Sequence, residues 1–251
     1  MDDARAGNLD DDRARWRERF WLPIRADVLH AKVLAEAAQR FADHVYADAS
    51  TSAALVRVFV TVPYAWLPAE ERVFINEFVE KVQATQTLDD ETPVLVLLGT
   101  HGIESNWNDR TKSSGHRAIP LLSEAFVAEA PMIARLLRET GFSLPSQIKA
   151  NRQFVRDVGA GNLFFVGDAT NTTDERGRRI IPATDFVDRY GIRTVYGSGA
   201  AYSNGLFLTG IVFSRKVISR DDAARIPPLM RELVDATSAL ATPATMFPPP
   251  V

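Results

Sequence analysis

The apolar run PVLVLLGT at residues 93–100 limits the fold of this chain more than any other stretch. Both of its alternating faces are hydrophobic, which is typical of a strand buried on both sides. A second run, ALVRVFVTV at 54–62, alternates four valines with a mixed set that includes Arg57 and Thr61. This alternation predicts a second strand with one face partly solvated. The chain therefore builds a sheet and needs helices to cover it.

Helical patterns surround these two strands. Residues 68–84 start with a proline that is followed by acidic residues, and both features favour a helix N-terminus. In the segment 26–48 the apolar residues recur at helical spacing. These residues are Val28, Leu29, Val33, Leu34, Ala37, Ala38, Phe41 and Val45. We therefore expect a helix before the strand at 54–62 and another after it.

The second half of the chain repeats this mixture. Residues 123–141 predict a helix that is capped by Ser123 and divided by Pro131, and residues 219–240 predict a final helix with a break at Pro227. Further β-rich segments span 162–169, 192–199 and 205–214, and the last two are joined by an Asn-Gly pair that suits a tight hairpin turn. The closing hairpin indicates antiparallel pairing. We therefore predict an α+β fold with helices packed on a central antiparallel or mixed sheet.

Composition excludes several classes of function. The net charge is −3 and basic residues stand beside acidic ones, so no nucleic-acid footprint is expected. No apolar run reaches the roughly 18 residues of a membrane span, and the acidic, polar N-terminus is not a targeting peptide. We therefore expect a cytoplasmic protein with no membrane partner. The chain has no cysteine, so any metal would be held by His, Asp or Glu.

The stretch THGIESNWNDRTKSSGHRAIPL at 100–121 concentrates hydrogen-bonding side chains at the end of the buried strand. Such a long loop in a compact domain is usually functional or packed by its own side chains. We expect it to form one wall of a ligand pocket. A second polar loop at 168–185 either covers that pocket and contributes Asp168 and Asp185, or is a solvated insertion. The candidate ligand-binding residues are His101, Trp107, Asn108, Asp109, Arg110, His116, Asp168 and Asp185.

The residues leave other roles open. His101 and His116, together with Glu104, Asp109 or Asp168, have the imidazole and carboxylate groups that bind zinc or non-haem iron. One histidine alone could be the proximal ligand of a haem. The structural alternative is that the loop is a hydrogen-bonded knot, with Asp109 and Arg110 pairing to fasten it. No cofactor is identified by the sequence, and no dinucleotide, phosphate-loop or nucleophile-elbow motif follows a strand.

The last third of the chain carries a family resemblance. DFVDRYGIRTVYGSGAAYSNGLFLTGIVFSRKVISRDDAARIPPLMRELVDATSAL, residues 185–240, resembles the C-terminal half of a GAF domain, in which a hairpin leads through a short polar segment into a final helix. Residues 107–141 followed by 182–199 are similar to a GAF-like sensor region that precedes bacterial histidine kinases and cyclases. The resemblance covers residues 54–241. It implies a small-molecule sensor module, which is usually dimeric through its terminal helices.

The resemblance also sets boundaries and limits. It implies a GAF-like domain at 51–241. From the residue pattern we expect a disordered N-terminus at 1–10, N-terminal helices at 11–50 and a flexible tail at 242–251. Because the chain lacks cysteine, a thioether-linked bilin is excluded, and the signature of cyclic-nucleotide GAF domains is absent. The sequence shows no kinase, cyclase or DNA-binding output domain, so we expect a sensor of this kind to act through a homodimer or a signalling partner, or to be part of a longer protein.

Three classes of function remain. The leading expectation is a GAF-like ligand-binding and signalling module rather than an enzyme. The alternative is a metal-dependent or His/Asp-dependent hydrolase on an α+β scaffold, with His116 or His101 as general base and Asp109 or Asp168 as the orienting acid. A haem-binding gas sensor and a purely structural dimerisation protein are further alternatives.

Overall fold

The structure, a computed structural model, describes residues 17–49, 52–113, 115–142 and 162–249. The expected disordered segment 1–10 lies outside them. A π-helical turn, Arg17–Trp21, precedes the regular elements. The helices are α1 (Leu22–Val28), α2 (Leu34–Asp48), α3 (Ala69–Lys81), α4 (Glu124–Ala128), α5 (Pro131–Thr140), α6 (Thr184–Tyr190), α7 (Arg220–Ala223) and α8 (Ile226–Thr237). The strands are β1 (Ala53–Pro63), β2 (Pro93–Gly102), β3 (Ala118–Pro120), β4 (Leu163–Val166), β5 (Thr194–Ala201) and β6 (Phe207–Ser214).

The strands form one six-stranded sheet in the order β3-β2-β1-β6-β5-β4, and every neighbouring pair is antiparallel. The two strands predicted from the apolar runs are adjacent, and β1 stands between β2 and β6 near the middle of the sheet. The closing hairpin turns at Asn204-Gly205, where Gly205 adopts a φ of 91° that a glycine accommodates without strain. The α+β prediction is confirmed.

Each face of the sheet has its own hydrophobic core. The first face packs against α1, α2 and α8, with Val56, Val58 and Val60 of β1 pointing into that core. The second face packs against α4, α5 and α6, with Leu55 and Phe59 of β1 pointing the other way. The alternation of β1 thus divides its side chains between two buried layers, whereas the sequence pattern predicted that one face is partly solvated.

Helix boundaries follow the chemistry of their ends. The Ser123 side chain accepts a hydrogen bond from the Phe126 amide at the start of α4, and Pro131 stands in the first turn of α5. Gly141 ends α5 in the left-handed conformation, with a φ of 80°. The predicted division at Pro131 and the break before Pro227 are both confirmed. The short strand β3 and the helix α6 were not predicted.

The C-terminal segment at 242–249, which the sequence predicts as a flexible tail, packs against the first core. Met246 is fully buried and Phe247 is 8% exposed, both in the first core. The carbonyl of Thr245 accepts a hydrogen bond from the Leu34 amide at 2.8 Å, and that of Met246 accepts one from the Ala35 amide at 3.0 Å. These carbonyls satisfy free amides at the start of α2, where no side chain caps the helix.

Both terminal helices share one face of the sheet. The apolar residues of α2 and α8, among them Leu34, Phe41, Leu229 and Leu233, are buried against the sheet of their own chain. The GAF resemblance implies dimerisation through the terminal helices. The face is wide enough for both helices, so these residues are already covered within the monomer.

Candidate functional site

The loop that follows β2 begins by packing into the second core. The Trp107 ring lies beside Gly102, where a β-carbon would collide with it. Its ring centroid is 4.7 Å from that of Tyr190 and 5.6 Å from that of Phe186, both in α6. The tyrosine hydroxyl donates to Glu104 at 2.8 Å. Trp107 therefore fixes the loop to α6 and belongs to an aromatic cluster.

The next residues of the loop bond to their own backbone. The Asn108 side-chain oxygen accepts a hydrogen bond from the Gly102 amide at 2.8 Å, which closes the turn after β2. Asp109 accepts from both the amide and the hydroxyl of Thr111. The hydroxyl bond is the largest contribution that lowers the pKa of Asp109. These contacts match the structural alternative, in which Asn and Asp stabilise turns.

Arg110 is held by a carboxylate that the sequence analysis did not select. Its Nη1 donates to Oε1 of Glu71 in α3 at 2.7 Å, and its guanidinium lies 5.2 Å from the Phe247 ring centroid. Arg117 donates to the same Glu71 oxygen at 3.2 Å. The Glu71 side chain is only 2% exposed. The loop is thus fastened to α3 by a buried ionic triad rather than by an Asp109–Arg110 pair.

His101 lies on the other face of the sheet. Its Nδ1 is 2.7 Å from Oδ1 of Asp43 in α2, and its ring stacks on Tyr46 with centroids 4.3 Å apart. Gln39 donates to the same Asp43 oxygen and also bonds both the amide and the carbonyl of Thr100. The imidazole of His101 is therefore oriented by the Asp43 carboxylate, and Gln39 fixes this part of α2 to β2.

The two aspartates of the second polar loop lie apart from these groups. Asp168 accepts hydrogen bonds from Thr170 and from the backbone and side chain of Asn171 in the turn after β4. The bond from the Asn171 side chain is the largest contribution that lowers the pKa of Asp168. Asp185 is exposed in the first turn of α6. Neither contacts the loop at 100–121 through a hydrogen bond among the described residues.

The rest of that polar loop is fastened to the helices beside it. Arg178 pairs with Asp174 and donates to the carbonyl of Ala128, and Arg176 pairs with Glu129. A cleft of about 490 Å³ lies between this loop and α5. Most of its charged lining residues are engaged in these ion pairs or in the pair of Arg135 with Glu139. The cleft is a polar recess with both signs of charge and gives no preference for one ligand class.

The strongest unsatisfied polar group lies in the middle of the sheet, at Arg57. This residue points toward the second core and stands directly opposite Thr100 on β2. The Arg57 Nε and the Thr100 Oγ1 are both buried without a hydrogen-bond partner, and the same holds for the hydroxyls of Thr61 and Thr209 on that face. Burial lowers the pKa of Arg57 to about 10, so the guanidinium remains charged at neutral pH.

His116 completes this group. Burial, and to a smaller extent the charge of Arg57, lowers the pKa of His116 to about 4, so the ring is neutral at neutral pH. The residue as a whole is exposed to water. Arg57, Thr100 and His116 form the group of side chains that we name the Arg57 recess. An arginine in the middle of an apolar strand was the sequence signal that could have identified it.

The described residues contain no group of three or more His, Asp or Glu side chains that could hold a metal ion. His101 and His116 do not converge, because the first lies against α2 and the second lies near Arg57. In the ranges that the structure describes, no helix is long and apolar enough to cross a membrane. No protein-family model matches the chain, and no curated protein is significantly similar to it.

Proposed function

We propose that this chain is a small-molecule-binding sensory module of the GAF-like type, with its ligand bound at the Arg57 recess. The observation that carries the proposal is the partly buried guanidinium of Arg57, whose buried Nε has no hydrogen-bond partner among the described residues. Buried polar groups are nearly always paired, and an exception is explained by strain, by a catalytic role, or by a bound water or ion. The neighbouring hydroxyls and imidazole supply further groups to a ligand there.

The two faces of the sheet support this assignment of the site. The first face is filled by valines and leucines beneath α1, α2 and α8. The second face combines apolar packing with the unpaired groups of Arg57, Thr61, Thr100 and Thr209. Ligand sites are mostly apolar cavities with a few placed polar groups, which is the composition of this second face. The hairpin that leads through a polar segment into the final helices is in keeping with the GAF resemblance.

The binding proposal is tested by a thermal-shift screen of a metabolite library, together with native mass spectrometry of the purified protein. We expect compounds that raise the melting temperature of the wild type and have no effect on Arg57→Met. Arg231→Met is the matched control, because Arg231 is exposed on α8, which packs on the other face. Compounds that stabilise wild type and Arg57→Met equally would remove the recess from the proposal.

As a sensor, the module would act through a homodimer or a signalling partner. The apolar residues that support a second protomer are Leu22 in α1 and Leu29 directly after it, which are 46% and 51% exposed. We expect sedimentation at tens of micromolar protein to show a dimer that Leu29→Glu dissociates. A monomeric wild type would leave output through a partner as the proposed route.

A second candidate function is a His/Asp-dependent hydrolase, and the observation that favours it is the pair of His101 and Asp43. A carboxylate on Nδ1 fixes the tautomer and leaves Nε2 to accept a proton from a water or hydroxyl. Asp43 takes the orienting role that the sequence analysis assigned to Asp109 or Asp168. A panel of ester, amide and phosphoester substrates tests this, and turnover that survives His101→Gln would exclude the pair.

A further inference from the structure

We propose that the Arg57 recess takes an oxyanion, so that the ligand of the module bears a carboxylate or a phosphate whose charge neutralises the Arg57 guanidinium. This inference rests on the proposed binding function and adds the chemical class of the ligand. Three observations support it: the other half-buried arginines are paired with carboxylates, hydrogen-bond donors lie beside Arg57, and no described carboxylate pairs with Arg57.

The other half-buried arginines of the described residues are paired with carboxylates. In the described ranges, each of the others lies within 3.2 Å of a carboxylate oxygen; they are Arg40, Arg110, Arg117, Arg135 and Arg178. Arg57 is the exception, because among the described residues no hydrogen bond reaches its buried Nε, no ion pair involves it, and burial is the cause of its lowered pKa. A partly desolvated cation without a counter-charge is costly. An anionic ligand supplies the missing charge, whereas a neutral ligand would leave it uncompensated.

The neighbours of Arg57 fit an oxyanion as well. Thr100 lies directly across the strand pair and its free hydroxyl can donate to an oxygen of the ligand. His116, on the exposed side of the recess, can donate one ring N–H. The guanidinium presents a planar set of donors that matches the oxygens of a carboxylate or a phosphate. The recess therefore offers donors from three elements and no described carboxylate that would repel an anion.

A first test needs no knowledge of the natural ligand. In Tris–chloride buffer without oxyanions, we expect Arg57→Met to melt higher than wild type by roughly 2–4 °C, since an unpaired charge is replaced by an apolar chain of similar length. If Arg57 instead stabilised the fold, its replacement by methionine would lower the melting temperature. A lower melting temperature for Arg57→Met in this buffer would overturn the inference.

A second test uses three probes at constant ionic strength. Sodium benzoate and benzamide share a shape and differ in charge, and inorganic phosphate represents the other oxyanion class. We expect benzoate or phosphate to stabilise wild type and Arg231→Met, and to lose tenfold or more in affinity for Arg57→Met, which is roughly one charge-assisted hydrogen bond. The anion that raises the melting temperature identifies the ligand as a carboxylate or a phosphate. Thr100→Val keeps the shape of the side chain and should weaken the same binding without unfolding the protein.

The outcomes separate this inference from the proposal beneath it. If benzamide stabilises as well as benzoate, and both depend on Arg57, then the oxyanion inference is overturned while the binding function stands. If neither anion shifts the wild type at tens of millimolar, the oxyanion inference is overturned, and the library screen alone decides the binding function. If the library screen finds no compound that depends on Arg57, both are overturned.

Discussion

We expect Glu71→Ala to be among the most destabilising single substitutions in this protein. The Glu71 side chain is 2% exposed and accepts from Arg110 at 2.7 Å and from Arg117 at 3.2 Å, and those two side chains are only 17% and 15% exposed. Removal of the carboxylate leaves two partly buried cations without this partner. Breaking a buried pair by deleting one side costs about 3–5 kcal/mol, because the remaining charge stays desolvated.

The assay is urea or thermal unfolding of the variant, with Glu70→Ala as the matched control. Glu70 is the preceding residue of the same helix and also contacts Arg117 at 3.2 Å, yet its side chain is 81% exposed. An exposed ion pair contributes about 0–1 kcal/mol. For a chain of this size we expect Glu71→Ala to lower the melting temperature by on the order of 10 °C, and Glu70→Ala by a few degrees at most.

Intermediate variants show whether the charge or the packing of the side chain matters. Glu71→Gln keeps the volume and one acceptor oxygen, so it should recover part of the loss. Arg110→Ala combined with Glu71→Ala should cost less than the sum of the two single changes, because the second deletion removes a charge that the first left unpaired. Equal and small losses for Glu70→Ala and Glu71→Ala would refute the view that this triad holds the loop.

Three further predictions follow from other parts of the fold. Gly99→Ala should lower the free energy of unfolding by about 3 kcal/mol, because its β-carbon would collide with the backbone carbonyl of Ala38. Gly115→Ala, which has open space around it, should leave the unfolding free energy unchanged in the same urea titration. Met246→Ala should cost about 2–5 kcal/mol, since the side chain is fully buried, and a melting temperature equal to wild type would instead mean that the C-terminal segment is dispensable. The free energy of unfolding of the wild type should fall as the pH drops from 6.5 to 4, because His116 is protonated at its ordinary pKa in the unfolded chain and only at about 4 in the folded chain. The full pKa shift corresponds to about 3 kcal/mol, which solvent screening at this exposed residue reduces to about 1 kcal/mol. The stability of His116→Asn should depend less on pH over that window.

The sequence by itself determined the elements with strong local signals. The apolar run of β2, the alternation of β1 and the Asn204-Gly205 turn each have one favourable backbone conformation, so the strands and the closing hairpin could be predicted. Ser123 and Gly141 fixed the ends of the helical pair in the same way. The α+β class followed, because such a sheet requires helices to cover it.

Only the tertiary structure decided which polar residues are satisfied and which are not. The loop at 100–121 attracted attention by its composition, yet Arg110 is neutralised by Glu71, which is 39 residues away in sequence, and His101 is oriented by Asp43, which is 58 residues away. Arg57 looked like the solvated position of an alternating strand and instead faces a second core. Local patterns report backbone preference, whereas the partner of a charge depends on which distant strands and helices meet, and no local pattern carries that information.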